Sequence, residues 1–457
     1  MILKERVIME QQKREYGLFT TIAMIVGIVI GSGIFFKSDD MLGYTGGNVG
    51  LAVLVFCIAA FTIIFGCLTF SQLAALTDKP GGVITYANEF IGKRWACMFG
   101  WFQVFIYYPT LTVLISWVVG IYVSLTMGWE MTFMSQFGIG LIWFFICFLY
   151  NILSAKIGGW FQEAAVIIKL IPLFAIAIGG LIFGDPISVI QNPTPAAIEA
   201  TKTLGWVAAI GPIAFSFDGW VVSMAVAHEV RNSKRNVPKA LVAAPLFVLA
   251  AYLMYFLGIT GFLGTDAVME LGDGSVAAVA NALFGSTFAS IIYVFVTISV
   301  MGTVNGVILG YIRLPYSLAL RNAIPFSNSL KKINPKINMP VNSALFAIAV
   351  CGVWWVIHWA QNEYSLLING DIAEIAISMS YLLYIVLYYQ VFRLWREGKV
   401  KGVWYGIVFP IFATLGSLFV LIGGLTNPQF IIFVVICMIA IIGGLLYGKN
   451  AYDDVKL

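Results

Sequence analysis

Apolar runs of about 20 residues, the length a helix needs to cross the hydrocarbon core of a bilayer, recur from Tyr16 to Leu446 with short polar gaps between them. Lipid offers no partner for a backbone N–H or C=O, so such runs are predicted to be helices that close their own hydrogen bonds. The expected fold class is an all-α integral membrane protein. Twelve candidate spans stand out, at about 17–37, 47–76, 94–126, 137–155, 160–184, 203–228, 238–264, 284–320, 341–360, 366–392, 403–424 and 429–448. They define one membrane domain, 17–448, between a tail at 1–16 and a tail at 449–457. Sixteen mostly polar residues precede the first run and no small-residue cleavage site follows it, so that run is expected to stay in the protein.

Composition closes other routes. Charged residues make up 11% of the chain, against about 25% in soluble proteins, and the net charge of +4 is spread over many loops. No basic block supports a nucleic-acid partner. The six cysteines lie in or beside apolar runs without the short spacing of a metal or redox motif, which predicts free thiols. His228 and His358 fall near opposite membrane faces, so no metal site, cofactor site or catalytic triad is expected, and an enzyme is disfavoured.

The charges orient the spans. With both termini assigned to the cytoplasm, 22 of the 26 Lys and Arg residues fall on that side; Lys37 and Lys202 lie outside, and Lys169 and Arg313 lie in spans. That is a clean positive-inside bias. Arg313 reads as an anchor at the cytoplasmic end of its span. Asp371 and Glu374, early in the tenth span, read either as an outer pair or as ordinary polar helix-start residues. The Phe and Trp residues are expected mostly at the lipid face or in an interfacial belt.

Two spans are interrupted at matching places, the first by Ile30-Gly31-Ser32-Gly33 and the sixth by Phe215-Ser216-Phe217-Asp218-Gly219. They are five spans apart. Five is odd, so segments 17–184 and 203–392 would run in opposite senses, the inverted repeat in which paired broken helices mark a binding site; 403–448 lies outside the repeat. Gly27 and Gly31 could alone be a helix-packing pair, but the second break favours binding. A helix starting near Ser32 and Gly33 offers amides and a positive dipole end to a carboxylate. The half ending at Val29 and Ile30 offers carbonyls to an ammonium, as does Phe215, and Asp218 adds an acceptor. An α-amino acid meets both demands.

Lys169 lies about nine residues into its span, roughly 14 Å deep at 1.5 Å per residue. A charged lysine there must meet carbonyls and hydroxyls or lose its proton. Carbonyls near Gly27 and Ile28 are candidate acceptors, with Ser299 and Thr303 as candidate hydroxyls; an ion pair with Asp218 and snorkelling to the cytoplasmic edge are the alternatives.

Five stretches, IVGIVIGSGIF at 25–35, KPGGVITYANEFIG at 79–92, FSFDGW at 215–220, EVRNSKRNVPKA at 229–240 and GTVNGVILGYIRLPYSLALRNAIP at 302–325, resemble the L-amino acid transporter family of the amino acid, polyamine and organocation superfamily. The resemblance covers nearly the full length. It implies the five-plus-five inverted-repeat fold and sodium-independent exchange of small neutral L-amino acids of the alanine, serine and cysteine kind across the cell membrane. In the binding segments Val29, Ile30, Gly31, Ser32 and Gly33, and Phe215, Ser216 and Asp218, it implies that the amides of Ser32 and Gly33 hold the carboxylate. Carbonyls of Val29, Phe215 and Asp218 would hold the ammonium. It further implies an aromatic gate at Phe215, an ammonium at Lys169 in place of a sodium ion, and a coupling role for Tyr252. Asn232-Ser233 departs from the family's Asn-Pro. The outer connection MGWEMTFMSQF at 127–137 lacks the cysteine that tethers a glycoprotein heavy chain, so activity as a monomer without one is expected. A proton-coupled symporter using Lys169 is the alternative.

Overall fold

The computed structural model describes residues 17–451 apart from 32, 78–81, 131, 222–229, 338, 366–370 and 425–429. His228 and Ser32 therefore lie outside the described residues. Among those described, the chain is helical, with one isolated backbone bridge between Asn334 and Met339.

The principal helices are α1 (Leu18–Val29), α2 (Val49–Leu76), α3 (Lys93–Met127), α4 (Phe133–Leu153), α5 (Ala155–Phe183) and α6 (Ile210–Ser216). They continue as α7 (Ser233–Leu263), α8 (Ser275–Leu320), α9 (Val341–Glu363), α10 (Ile372–Arg396), α11 (Phe409–Gly424) and α12 (Phe430–Tyr447). Nine helices among the described residues are long and apolar enough to cross a membrane, with mean hydropathy from 1.6 to 2.8. Shorter apolar stretches lie at Leu18–Gly27, Ile167–Phe183 and Gly205–Ser216, in α1, in α5 and in the 3-10 turn leading into α6. Their outer surfaces are apolar too: Ile142, Leu149, Ile431 and Ile439 are all more than half exposed, as a lipid-facing surface requires. The protein is an integral membrane protein.

Helices α5, α7 and α8 pack together, α3 packs on α4 and α8, and α10 packs on α11. Small residues permit the close approach that replaces hydrophobic drive inside lipid. A Cβ on Gly302 of α8 would lie 2.2 Å from the Cβ of Ala165, one turn before Lys169, so this contact sets the depth at which the lysine meets α8.

The eighth span, read as 284–320, coincides with the helix that follows Gly285 (φ 74°, ψ 168°), a conformation that glycine alone adopts without strain and at which Ser275–Leu320 divides into two helices. One expectation needs correction: the aromatic residues are less peripheral than expected. Trp220, Phe56 and Phe70 are buried, Trp220 stacks on Phe70 with centroids 5.7 Å apart, and Phe56 packs on Phe217 and Tyr252. They fill the space around the turns at 217–221 that follow α6.

Candidate functional site

α1 ends at Val29 because Ile30 (φ −67°, ψ 93°) turns out of the helix while its N–H still bonds the Val26 carbonyl at 2.8 Å. Helical turns resume at Gly33–Phe36 and Ser38–Tyr44. α6 ends at Ser216, and residues 217–221 follow as turns; the Phe217 N–H bonds the Ile213 carbonyl at 3.0 Å and the Asp218 N–H bonds that of Phe215 at 3.1 Å. Each helix end leaves carbonyls without intrahelical partners.

The segment that resumes at Gly33 touches the end of α6. A Cβ on Gly33 would lie 2.8 Å from the Ser216 Cα and 2.9 Å from Phe215 Cδ1, so only glycine fits there without moving the backbone. Tyr252, fully buried on α7, spans both helix ends: its hydroxyl lies 2.7 Å from the Ser216 carbonyl and 3.2 Å from that of Val29. From α5, the Lys169 ammonium donates to the Gly27 carbonyl. Lys169 is 4% exposed.

These groups surround a cavity of about 160 Å³. Gly27, Val29, Gly31 and Gly33 line it from the end of α1 and the turn beyond, Phe215, Ser216, Asp218 and Gly219 from the end of α6 and the turns that follow, and Lys169 and Thr303 line it from α5 and α8. Tyr107 and Tyr108 of α3 and Gly310 of α8 complete its wall. Gly310 is exposed and Asp218 is half-buried, so the cavity wall is least covered near these two residues. The opposite end is shut by Phe215 and Ser216 against Gly33.

Over that roof sits a cluster of charges. Lys37 Nζ, 5.7 Å from the centroid of the Phe215 ring, bonds Glu374 at 2.7 Å, Asp371 at 2.8 Å and Asp40 at 2.9 Å. Asp371 also caps α10, accepting the N–H groups of Ala373 at 2.8 Å and Glu374 at 3.0 Å. Glu374 in turn meets α6, its Oε2 lying 3.0 Å from where a Cβ on Gly211 would be. The helix-start reading is met at Asp371, both acids are paired with Lys37, and Lys37 is the missed residue. Its signal was a lysine at the end of an apolar run, beside Asp39 and Asp40.

Other expected partners do not meet. Ser299 is buried with no hydrogen bond to its hydroxyl, and the Thr303 hydroxyl donates to the Ser299 carbonyl at 3.0 Å; neither bonds Lys169. Among the described residues no ion pair joins Lys169 to Asp218. The Asp218 carboxylate accepts the Tyr107 hydroxyl instead. Ile30 is fully buried behind the cavity. Tyr107, also missed, closes a π-helical turn at Gln103–Tyr107, an irregularity frequent at functional sites.

A profile of amino acid permeases matches residues 16–445. The chain is similar to the serine/threonine exchanger SteT of Bacillus subtilis (strain 168), 30% identical over 90% of this chain and 90% of the relative. The human Asc-type amino acid transporter 1 is 26% identical over 78% of this chain and 67% of its own length. The mouse b(0,+)-type amino acid transporter 1 is 23% identical over 95% and 87%.

Proposed function

The chain belongs to the amino acid permease family, a family of transporters rather than enzymes, and from that premise we propose that it is a sodium-independent antiporter that exchanges small neutral L-amino acids across the cell membrane. The observation that carries this reading is the pair of helix ends facing one cavity, joined by Tyr252 and flanked by Lys169. A carbonyl oxygen has two lone pairs, so Val29 and Phe215 keep one for a ligand ammonium after bonding Tyr252 and the Asp218 N–H. The resuming turn at Gly33 supplies the amide end for a carboxylate. Ser32, Ile30, Gly31, Ser216 and Asp218 complete the binding segment in this reading, and Phe215 is its gate.

Size agrees. A void of about 150 Å³ takes a benzene-sized molecule, which has as many non-hydrogen atoms as alanine. The Bacillus relative, named for serine and threonine, supports small side chains and exchange. Lys169 takes the place of a coupling cation by holding the Gly27 carbonyl. Twelve spans, an inverted repeat over 17–184 and 203–392, cytoplasmic termini and activity without a heavy chain belong to the same proposal.

Alternating access follows from the helix ends. Empty carbonyls and amides are costly to move through a closed, dry intermediate, so substrate lowers the barrier in both directions and the empty protein returns slowly. Purified protein in vesicles is expected to take up labelled alanine only when the vesicles hold an unlabelled amino acid, equally with and without sodium. Equal uptake into empty vesicles would refute obligatory exchange, and accumulation driven by an inward proton gradient would replace it with symport.

Tyr252→Phe removes one hydroxyl from two carbonyls while keeping the ring. Leaving a buried acceptor unsatisfied costs about 1–3 kcal/mol, so apparent affinity for alanine is expected to fall by about tenfold in a protein that still elutes as a single species. Unchanged binding would show that the bridge does not shape the site.

A further inference from the structure

The connection between α7 and α8 folds over the segment that follows α1. A short helix at Thr265–Leu271 and a 3-10 turn at Gly272–Gly274 both pack on Ser38–Tyr44, and a Cβ on Gly272 would lie 3.3 Å from Asp39 Oδ2. Asp273 is the next residue, and its Oδ1 is buried with no hydrogen-bond partner. The hydroxyls of Tyr122 on α3 and Tyr255 on α7 are likewise without partners, on side chains that are fully buried. Both tyrosines stand in the electrostatic field of Asp39 and Asp273. Buried oxygens of this kind are uncommon and call for a ligand or water that satisfies them. We propose that Asp39, Asp273 and the hydroxyls of Tyr122 and Tyr255 form a binding site for a hard divalent cation of the calcium kind, which ties the α7–α8 connection to the segment after α1.

The inference does not depend on what the central cavity carries. Charge comes first. Lys37 bonds Asp40, Asp371 and Glu374 and makes no ion pair with Asp39 or Asp273 among the described residues. Two carboxylates withdrawn from water need a counter-charge, and a divalent ion balances both where a monovalent one balances half.

Donor chemistry comes second. The four groups offer oxygen alone, and among the described residues no three His, Cys, Asp or Glu side chains converge as a transition-metal centre requires. Oxygen ligands suit hard cations. Calcium accepts about six to eight of them in a loose geometry that water can complete, whereas magnesium demands a tight octahedron.

The tyrosine side of the site is also set in advance. The Thr297 hydroxyl on α8 lies 2.9 Å from the Tyr293 carbonyl of its own helix and 3.3 Å from the Tyr122 carbonyl on α3. The Tyr255 ring packs edge-on against Phe35, with centroids 5.6 Å apart. Binding therefore orders little that is not already ordered. Asp39 and Asp273 are half-buried, so an ion can reach them, and the exposed Asp266 and Glu270 on the short helix add a field that draws cations in.

The test follows the thermal midpoint of the full-length, detergent-solubilised protein after chelator treatment, at constant ionic strength, as calcium, magnesium or sodium chloride is added. Calcium at about 10 mM is expected to raise the midpoint by about 2–4 °C, with half the effect at about 0.1–1 mM, the range of extracellular calcium sites. Magnesium and sodium are expected to do much less. Equilibrium dialysis with labelled calcium should find about one ion per chain. In Asp273→Asn the calcium response is expected to vanish while the calcium-free midpoint holds or rises, because an unbalanced charge has been removed.

A wild-type midpoint indifferent to calcium, with no labelled ion retained, would overturn the proposal. So would an equal response to magnesium, which would mean diffuse attraction to surface acids, or a midpoint that rises on acidification alone, which would make the occupant a proton. An Asp273→Asn protein that keeps the wild-type calcium response would overturn it as well. Should that variant not fold, Tyr255→Phe keeps the ring and removes one donor; it is expected to raise the half-effective calcium concentration several-fold, and an unchanged value would refute the site.

Discussion

Lys37→Ala is expected to cost about 3–5 kcal/mol of stability, the loss seen when one partner of a buried ion pair is removed. The ammonium stands within 2.9 Å of three carboxylates, and Lys37, Asp371 and Glu374 are 4%, 7% and 7% exposed. Alanine would leave the acids facing one another with no cation between them. The cost is therefore the penalty of uncompensated charge and not the net worth of the bridge, which can be small. A clear fall in the thermal midpoint of the detergent-solubilised protein is expected, partly reversed in the double variant Lys37→Ala with Glu374→Gln. A midpoint equal to that of the wild type would mean that water already screens the cluster. Because Lys37 ties the segment after the first interruption to α10 across the roof of the cavity, the same substitution should also favour opening on that side.

Lys169→Ala is expected to slow exchange by about 10- to 100-fold while changing equilibrium binding much less. A hydrogen bond to a charged group contributes about 1.5–3 kcal/mol, and 1.4 kcal/mol is a factor of ten. The bond runs from α5 to the last turn of α1, where the Gly27 carbonyl has no helical N–H to accept once the chain leaves the helix at Ile30. Losing it frees the end of α1 from the scaffold in every state of the cycle, which penalises the ordered intermediate more than the bound ground state. Counterflow rates beside binding competition separate the two effects. An unchanged rate would leave Lys169 a packing residue.

The apolar runs made the helices legible because period and length alone satisfy the backbone in lipid. The two helix ends were legible for the converse reason: Gly31 and Gly33, and Gly219 beside Asp218, stand where an uninterrupted apolar helix would have no use for them, and α1 and α6 stop at Val29 and Ser216. What sequence could not supply was contact between distant segments. Lys37 and Glu374 are 337 residues apart, and Tyr107 and Asp218 are 111 apart; no local pattern encodes either pairing. The hydroxyls of Ser299 and Thr303 were placed correctly along α8 but aimed wrongly at Lys169, because helical register gives the face of a residue and not the reach of its side chain. The buried aromatic cluster was hidden by the same limit, since Phe and Trp suit a lipid face and a protein interior equally.

Tyr252 fastens the carbonyls of Val29 and Ser216 to one point on α7. The two rims of the cavity are thus yoked by a single hydroxyl and must swing together, with α7, which packs on both α1 and α2, as their common lever.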